Sequence, residues 1–216
     1  MKIRLNASRW VAGASLLTAT QLGVAGTIAG SAHDFTTAAW SGGRICVACH
    51  TPHNSNTSVS VAPLWNHRNS TATYTLYTSP TLKASVGQPG GLSKLCLSCH
   101  DGTVAVDSFG ATTGTTTISA ESNVGTALNN DHPVGFTYNT ALATANGSLF
   151  DPASKSVTVG SGGQTKSGTI AATILYGGQM ECSSCHDVHN TFTVGGSGLL
   201  KISASSSAIC MACHNK

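Results

Sequence analysis

The chain has 216 residues, of which only 9% are charged and 6% aromatic, while 24 are glycines. Because a chain so poor in large side chains has little apolar surface to bury, we expect something besides side-chain packing to hold it together. The formal net charge is +3 and the lysines and arginines are scattered singly, which excludes the basic patch of a nucleic-acid-binding protein and a polybasic membrane-binding segment.

The N-terminal residues have the layout of a secretory signal peptide. Three basic residues, Lys2, Arg4 and Arg9, precede an apolar stretch over 10–25, and small residues follow up to Ala32. A transmembrane helix is the alternative, but polar residues and glycines interrupt the apolar stretch. We therefore predict a signal peptide over residues 1–32, with cleavage after Ala25 as the alternative. Its removal leaves eight basic and eight acidic side chains, so the predicted mature chain is formally neutral.

All eight cysteines fall into one five-residue motif, Cys-x-x-Cys-His, which occurs four times. This is the attachment pattern of c-type haem, in which two thiols form thioether bonds with the porphyrin and the adjacent histidine binds the iron. Two intervening residues bring both sulfurs to one porphyrin edge. The motifs therefore predict four covalently bound haem c groups, whose cysteines and proximal histidines are Cys46, Cys49 and His50; Cys96, Cys99 and His100; Cys182, Cys185 and His186; and Cys210, Cys213 and His214.

Other uses of Cys-x-x-Cys must be compared with haem attachment. A thioredoxin-like redox pair and half of a zinc site share the spacing, and an even number of cysteines in an exported protein is typical of disulfides. None of these explains a histidine directly after the second cysteine in all four copies. We therefore favour haem attachment.

Five further histidines are candidates for the second axial position on the predicted irons. A single histidine is more often an ordinary surface or core residue, but five candidates for four positions favour bis-histidine ligation. Methionine is the alternative ligand, and only Met180 and Met211 lie beyond the signal peptide. Since Met211 lies inside an attachment motif, at most one haem would have His/Met ligation. The distal candidates are His33, His53, His67, His132 and His189.

The positions of these five histidines in the chain indicate which haem each could bind. His53 and His189 each follow a motif histidine by three residues, a span of at most about 10 Å that is too short to reach the opposite face of the same iron. We expect each to bind a different haem, which would bring haems close together. His67 and His132 lie near prolines, which restrict the backbone. His33 lies at or near the predicted mature N-terminus, where chain ends are often disordered.

We predict a single tetrahaem cytochrome c domain over 33–216. Haems 1 and 2 would be attached within 33–110 and haems 3 and 4 within 171–216. The segment 111–170 is low in complexity, rich in Thr, Ser, Gly and Ala, and is expected to wrap around the haems. The predicted fold class is a multihaem cytochrome, mostly coil and loops with short helices and few short strands around a row of four haems.

Local patterns give three smaller predictions. Alternation at 73–77 and at 156–159 predicts short strands. Short helices are expected to carry the attachment motifs. Asp101 and Asp187 directly follow two motif histidines, and we expect solvated acids there rather than hydrogen-bond partners of those histidines.

Several phrases around the motifs resemble the outer-surface multihaem cytochromes of metal-reducing bacteria. The resemblance implies extracellular electron transfer, with other redox cytochromes and acceptors such as metal oxides as partners. It also implies polymerisation of identical subunits into a conducting filament, or nanowire. In related filament cytochromes, the histidine three residues after the first proximal ligand coordinates a haem in the neighbouring subunit, and here that position is His53. The phrases are Ala32–Phe35, His50–Asn54, Ala62–His67, His100–Gly102, Asn130–Pro133 and His186–Asn190.

The leading hypothesis is an exported electron carrier at the outer cell surface, not an enzyme, with no nucleic-acid partner and no membrane-spanning segment in the mature chain. A monomeric periplasmic electron shuttle is the first alternative. The second is a multihaem reductase of nitrite or hydroxylamine, which needs an iron with an open or exchangeable position. The surplus of histidines argues against such a position.

Overall fold

Loops and turns make up most of the chain, and the helices and strands are short. The computed structural model describes residues 26–196 and 198–216, so most of the predicted signal peptide lies outside the described residues. The α-helices are α1 (Gly91–His100), α2 (Thr140–Asn146), α3 (Ile170–Thr173), α4 (Cys182–Cys185) and α5 (Ala208–Met211). The strands are β1 (Phe136–Thr137), β2 (Ser156–Ser161), β3 (Gln164–Thr169) and β4 (Gln179–Met180). Short 3-10 helices cover Ala39–Ser41, Ala120–Ser122, Leu128–Asn130 and Ser205–Ser207.

The strands form two antiparallel pairs. β1 pairs with β4, and β2 pairs with β3 in a hairpin whose two-residue loop begins at Gly162, with φ +59°. Glycine adopts this positive φ without steric cost, as tight hairpin turns require. The strand predicted at 156–159 is confirmed as part of β2. The strand predicted at 73–77 is wrong, because Thr75 alone forms a single parallel bridge to Ala127.

In the described residues, three apolar clusters take the place of a single thick core. The largest contains Phe136, Tyr138, Ala143, Val159, Ile170, Ile174, Leu175, Met180 and Ala212, and the smaller ones contain Val59, Trp65 and Leu95, and Tyr74, Leu97 and Leu128. Five members of the largest cluster come from the segment 111–170. This segment therefore contributes packing of its own, in addition to whatever wrapping of haems it provides.

A buried carboxylate joins α1 to α4. Glu181 is 5% exposed, and its carboxylate accepts hydrogen bonds from the backbone N–H of Ser93, at 2.9 Å, and from the Ser93 hydroxyl. The same hydroxyl accepts from the backbone N–H of Cys182 at 3.1 Å. Gly91 has φ +48°, and a Cβ there would lie 2.6 Å from Glu181 Oε1. We call the contact between Glu181 and Ser93 the Glu181 clamp. It fixes the second attachment motif, on α1, against the third, on α4.

Within the described ranges, no helix is both long and apolar enough to span a lipid bilayer.

Candidate haem-binding site

Each attachment motif forms one helical turn. In three of them the histidine N–H donates to the carbonyl of the first cysteine, and the second motif forms the last turn of α1. A turn of this kind brings the two thiols and the imidazole to one side of the chain, which is why the two-residue spacing matters. Short helices carry the second, third and fourth motifs, as predicted, while the first is an isolated turn. The donating pairs are His50 to Cys46 at 2.8 Å, His186 to Cys182 at 3.1 Å and His214 to Cys210 at 2.9 Å.

The thiols of successive motifs are neighbours. All eight cysteines are free thiols. Cys96 of the second motif and Cys182 of the third are hydrogen-bonded through sulfur, and Cys49 of the first motif acts electrostatically on Cys99. Cys185 of the third motif acts in the same way on a thiol of the fourth. The second motif therefore adjoins both the first and the third, and the third adjoins the fourth.

Burial controls the acidity of these thiols. Burial first, and neighbouring charges second, raise the pKa of Cys49 to about 11 and that of Cys99 and Cys213 to about 12. The hydrogen bond from Cys96 lowers the pKa of Cys182 to about 7. Because the thiolate is the reactive form, the three thiols with raised pKa are unreactive as free nucleophiles.

Backbone carbonyls orient the motif histidines. The Nδ1 atoms of His50, His100 and His186 lie 2.8, 2.7 and 2.6 Å from the carbonyl oxygens of Pro63, Ser122 and Gly198. A histidine that binds a metal usually donates its other ring N–H to a carbonyl or carboxylate, which fixes the tautomer. In these three residues Nδ1–H donates to the carbonyl, so Nε2 keeps a lone pair for a metal.

The histidines come together in pairs. Among the described residues, three pairs of imidazoles lie within 6.4 Å between ring centroids, and each joins one motif histidine to one of the additional histidines. His189 faces His50 of the first motif rather than His186 of its own, in line with the short-span argument. The pairs are His33 with His100 at 6.0 Å, His50 with His189 at 6.2 Å, and His132 with His214 at 6.4 Å.

These spacings fit a pair of axial ligands. A metal–imidazole bond is about 2 Å long and the ring centroid lies roughly 1 Å beyond the nitrogen, so two imidazoles on opposite sides of one ion have centroids about 6 Å apart. Imidazoles in direct van der Waals stacking would lie closer. Throughout the described part of the chain, no group of three or more His, Cys, Asp and Glu side chains gathers as it would around a bare ion. At the first, second and fourth motifs the donor set is therefore two imidazoles and two thiols, which fits haem c.

Among the additional histidines, His33 has the clearest features of an iron ligand. Its Nδ1 is buried with no hydrogen-bond partner in the described residues. Burial, followed by the charges of His100, His186 and His189, lowers the pKa of His33 to about 4. His33 is therefore neutral at physiological pH, as metal ligation requires. That His33 binds iron stays a prediction, but nothing about its position near the predicted mature N-terminus prevents it from packing inside.

Three predicted ligands have no imidazole partner in the described residues. His186 and His53 are exposed. His67 is only 1% exposed, and its two ring nitrogens lie 2.8 and 3.1 Å from the carbonyl oxygens of Arg68 and Ala105. It also contacts Cys99 Sγ, at 3.5 Å from Nε2. The structure thus gives His67 the surroundings of a buried structural histidine beside the second motif.

Two buried acids were not expected to be buried. Asp101 is 4% exposed and accepts hydrogen bonds from the hydroxyls of Tyr74, at 2.7 Å, and Ser70. Burial raises the pKa of Asp101, but these hydrogen bonds and those from Thr103 outweigh it, so the pKa lies below its ordinary value. The expectation of a solvated acid was therefore wrong for Asp101. Glu181 directly precedes Cys182, and no sequence pattern marked it.

Comparison with known families agrees with this site. Residues 177–216, which contain the third and fourth motifs, match the family model described as the doubled CXXCH motif. No curated protein matches the chain. The match, together with the repeated motif, indicates a multihaem c-type cytochrome. Such proteins hold haem c covalently; many are electron carriers and some are enzymes.

Proposed function

We propose that this protein carries four haem c groups, each held by two thioether bonds and two axial histidines, and conducts electrons along their series. The three histidine pairs are the observation that carries the proposal. They would supply both axial ligands at the second, first and fourth motifs, as His100 with His33, His50 with His189, and His214 with His132. Haem c, when bound, supplies one-electron redox chemistry at iron.

In this proposal, the residues of the chain position the haem groups and exclude water from the irons. Neighbouring thiols of successive motifs keep the attachment points together, and the Glu181 clamp holds the second motif against the third. Carbonyl acceptors hold the motif imidazoles in one tautomer and orientation. Filling both axial positions with neutral imidazoles leaves no place for a substrate, which suits an electron carrier better than an enzyme.

The fourth axial pair would be completed between subunits. His186 lacks an imidazole partner in the described residues, and His67 is engaged with two backbone carbonyls. His53 is exposed, on the loop that follows the first motif. We infer that His53 of one subunit binds the iron at His186 of the next, so that each contact extends the series. The resemblance to the tetrahaem filament cytochrome OmcE supports the same role for His53.

Export to the outer cell surface is the proposed localisation. A c-type cytochrome with a signal-peptide pattern is expected beyond the cytoplasm. The carbonyl oxygen of Thr27 accepts a hydrogen bond from Asn190 Nδ2 at 3.1 Å. Cleavage after Ala25 would keep this contact, whereas cleavage after Ala32, our first prediction, would remove it. Mass spectrometry of secreted protein would identify the mature N-terminus and, from the added mass, the number of haems.

Filament formation is tested by His53→Ala, with Thr57→Ala as the control on the same exposed loop. We expect the His53 variant to keep its full haem content, lose filaments in cryo-electron micrographs and elute as a monomer in gel filtration. The Thr57 variant should form normal filaments. Normal filaments from the His53 variant would contradict the assignment between subunits. A wild-type protein that elutes only as a monomer would favour the periplasmic shuttle.

One observation also favours a second function. If no neighbouring subunit supplies a histidine, the iron at His186 has an exchangeable position, as a reductase of nitrite or hydroxylamine needs. Carbon monoxide binding to the reduced wild-type protein, with nitrite turnover, would support the reductase. Low-spin spectra from all haems and no carbon monoxide binding in the filament would support the electron carrier.

A further inference from the structure

A cavity of about 170 Å³ lies beside the third attachment motif. It is bordered by the β2–β3 hairpin, by the end of α3 and by the segment around Lys201. The backbone N–H of Lys201 donates to the carbonyl of Cys185 at 2.8 Å, so this wall of the cavity is attached directly to the motif.

Lys201 is a buried cation without an anionic partner. The residue is 4% exposed, and its Nζ donates to the Tyr176 hydroxyl at 3.0 Å and lies 4.8 Å from the centroid of that ring. In the described residues no carboxylate oxygen lies within 4.0 Å of it. Burying a charge without a counter-ion is costly, because the lost hydration is not replaced. The ammonium group is therefore an attractive site for an anion.

A second donor on the cavity wall is also unused. Thr173 is 6% exposed, and its Oγ1 is buried with no hydrogen-bond partner in the described part of the chain. Lys166 lies at the exposed edge of the same cavity and adds a second positive charge. Buried hydroxyls are normally satisfied, so an unpartnered hydroxyl on a residue that lines a cavity points to an acceptor bound there.

Among the described residues that line the cavity, the acid Asp187 already has hydrogen-bond donors. The Asp187 carboxylate accepts from the backbone N–H groups of His189, Thr191 and Phe192 at 3.1, 3.0 and 2.8 Å. The Asp187 charge is therefore directed at the backbone of the loop 187–192. The cavity therefore presents one buried cation, one cation at its edge and an unused hydroxyl donor, which is the chemistry that binds carboxylate or phosphate oxygens.

We propose that Lys201 and Thr173 form a binding site for a carboxylate or phosphate group beside the third motif. The group can be inorganic phosphate from solution or a haem propionate. The thioether bonds hold the porphyrin edge opposite the propionates, so a propionate here would belong to a haem other than the one at Cys185. Binding itself does not depend on the proposed function. Its effect on redox does rest on that function, since an anion stabilises the oxidised iron nearby and oxidation strengthens anion binding by the same factor.

The test uses the intact haem-loaded protein, with Lys201→Gln, the isosteric Thr173→Val, and the exposed Lys83→Gln as a matched loss of charge. Phosphate binding is measured by calorimetry, and the haem midpoint potentials by spectroelectrochemistry with and without phosphate. For phosphate from solution, we expect Lys201→Gln to weaken binding at least tenfold and Thr173→Val about threefold, with Lys83→Gln unchanged. The coupling should lower one haem potential in phosphate, by about 59 mV for a tenfold preference for the oxidised form.

The two sources give different results. If a propionate occupies the cavity, wild type binds no phosphate, and Lys201→Gln and Thr173→Val each alter a carboxylate band in the redox infrared difference spectrum. Equal phosphate binding in wild type and both cavity variants would overturn the proposal, as would no phosphate binding with unaltered infrared bands. If Lys201→Gln does not fold, Thr173→Val decides by the same criteria. Absence of covalent haem in wild type would refute the proposed function, while the calorimetry would still test the anion site.

Discussion

Replacing Glu181 by alanine should destabilise the junction between the second and third motifs. The carboxylate is 5% exposed and accepts two hydrogen bonds from Ser93, one of them from a backbone N–H at 2.9 Å. Hydrogen bonds to a charged group contribute about 1.5–3 kcal/mol each. The variant would leave the Ser93 N–H buried without its acceptor, which adds a desolvation cost.

We expect Glu181→Ala to lower the free energy of unfolding by about 3–5 kcal/mol, since contributions within one network do not add fully. For a chain of this size, that loss corresponds to a fall in melting temperature of about 10 °C. Glu181→Gln keeps one acceptor oxygen and the side-chain volume, so its effect should be smaller. Thermal and urea unfolding, followed by circular dichroism and by the haem absorption band, would measure both.

Glu121→Ala is the matched control, because Glu121 is exposed in a 3-10 helix. It should unfold within about 0.5 kcal/mol of wild type. Equal melting temperatures for Glu181→Ala and Glu121→Ala, at equal haem content, would refute the clamp as a stabilising contact.

Three further predictions follow from single contacts. His33→Ala should keep covalent haem but give a high-spin signal in electron paramagnetic resonance. His67→Ala should give no such signal, because carbonyl oxygens occupy the His67 ring nitrogens. Equal spectra from the two variants would contradict the pairing of His33 with His100. Burial raises the pKa of Asp107, but backbone N–H donors outweigh it and the net pKa is lowered. The stability that these hydrogen bonds to Asp107 give is present above pH about 4 and is lost as the pH falls through the lowered pKa. Asp107→Asn should therefore have a lower melting temperature than wild type at neutral pH, and the difference in melting temperature should narrow in acid. Gly160→Ala should destabilise more than Gly162→Ala in thermal melts, since both have positive φ but only the Cβ at Gly160 would lie 2.0 Å from a carbonyl oxygen; equal melts would contradict this.

Haem chemistry could be predicted from sequence because its determinants are local. Two thiols and a histidine within five residues form one helical turn wherever the motif occurs, so the spacing alone indicates the cofactor. The short span from His186 to His189 likewise predicted that His189 would not bind the same haem as His186, and its ring centroid lies 6.2 Å from that of His50. The strand at 156–159 was predictable because a two-residue glycine turn and local alternation form the hairpin.

Partner choice between distant histidines depended on the path of the chain. His33 and His100 are far apart in sequence, and only folding brings their rings to 6.0 Å. No local pattern distinguishes His67, held by backbone carbonyls, from a free ligand.

The cofactor class and the residues predicted to attach it could be inferred from the sequence alone. Which imidazoles meet, and that Asp101 and Glu181 are buried, depends on how distant parts of the chain fold together. The physical reason is range: thioether attachment needs neighbours in sequence, whereas axial pairing, burial and carboxylate clamps need neighbours in space. For a chain with so few large side chains, those spatial contacts are made by loops, whose course local propensities do not specify.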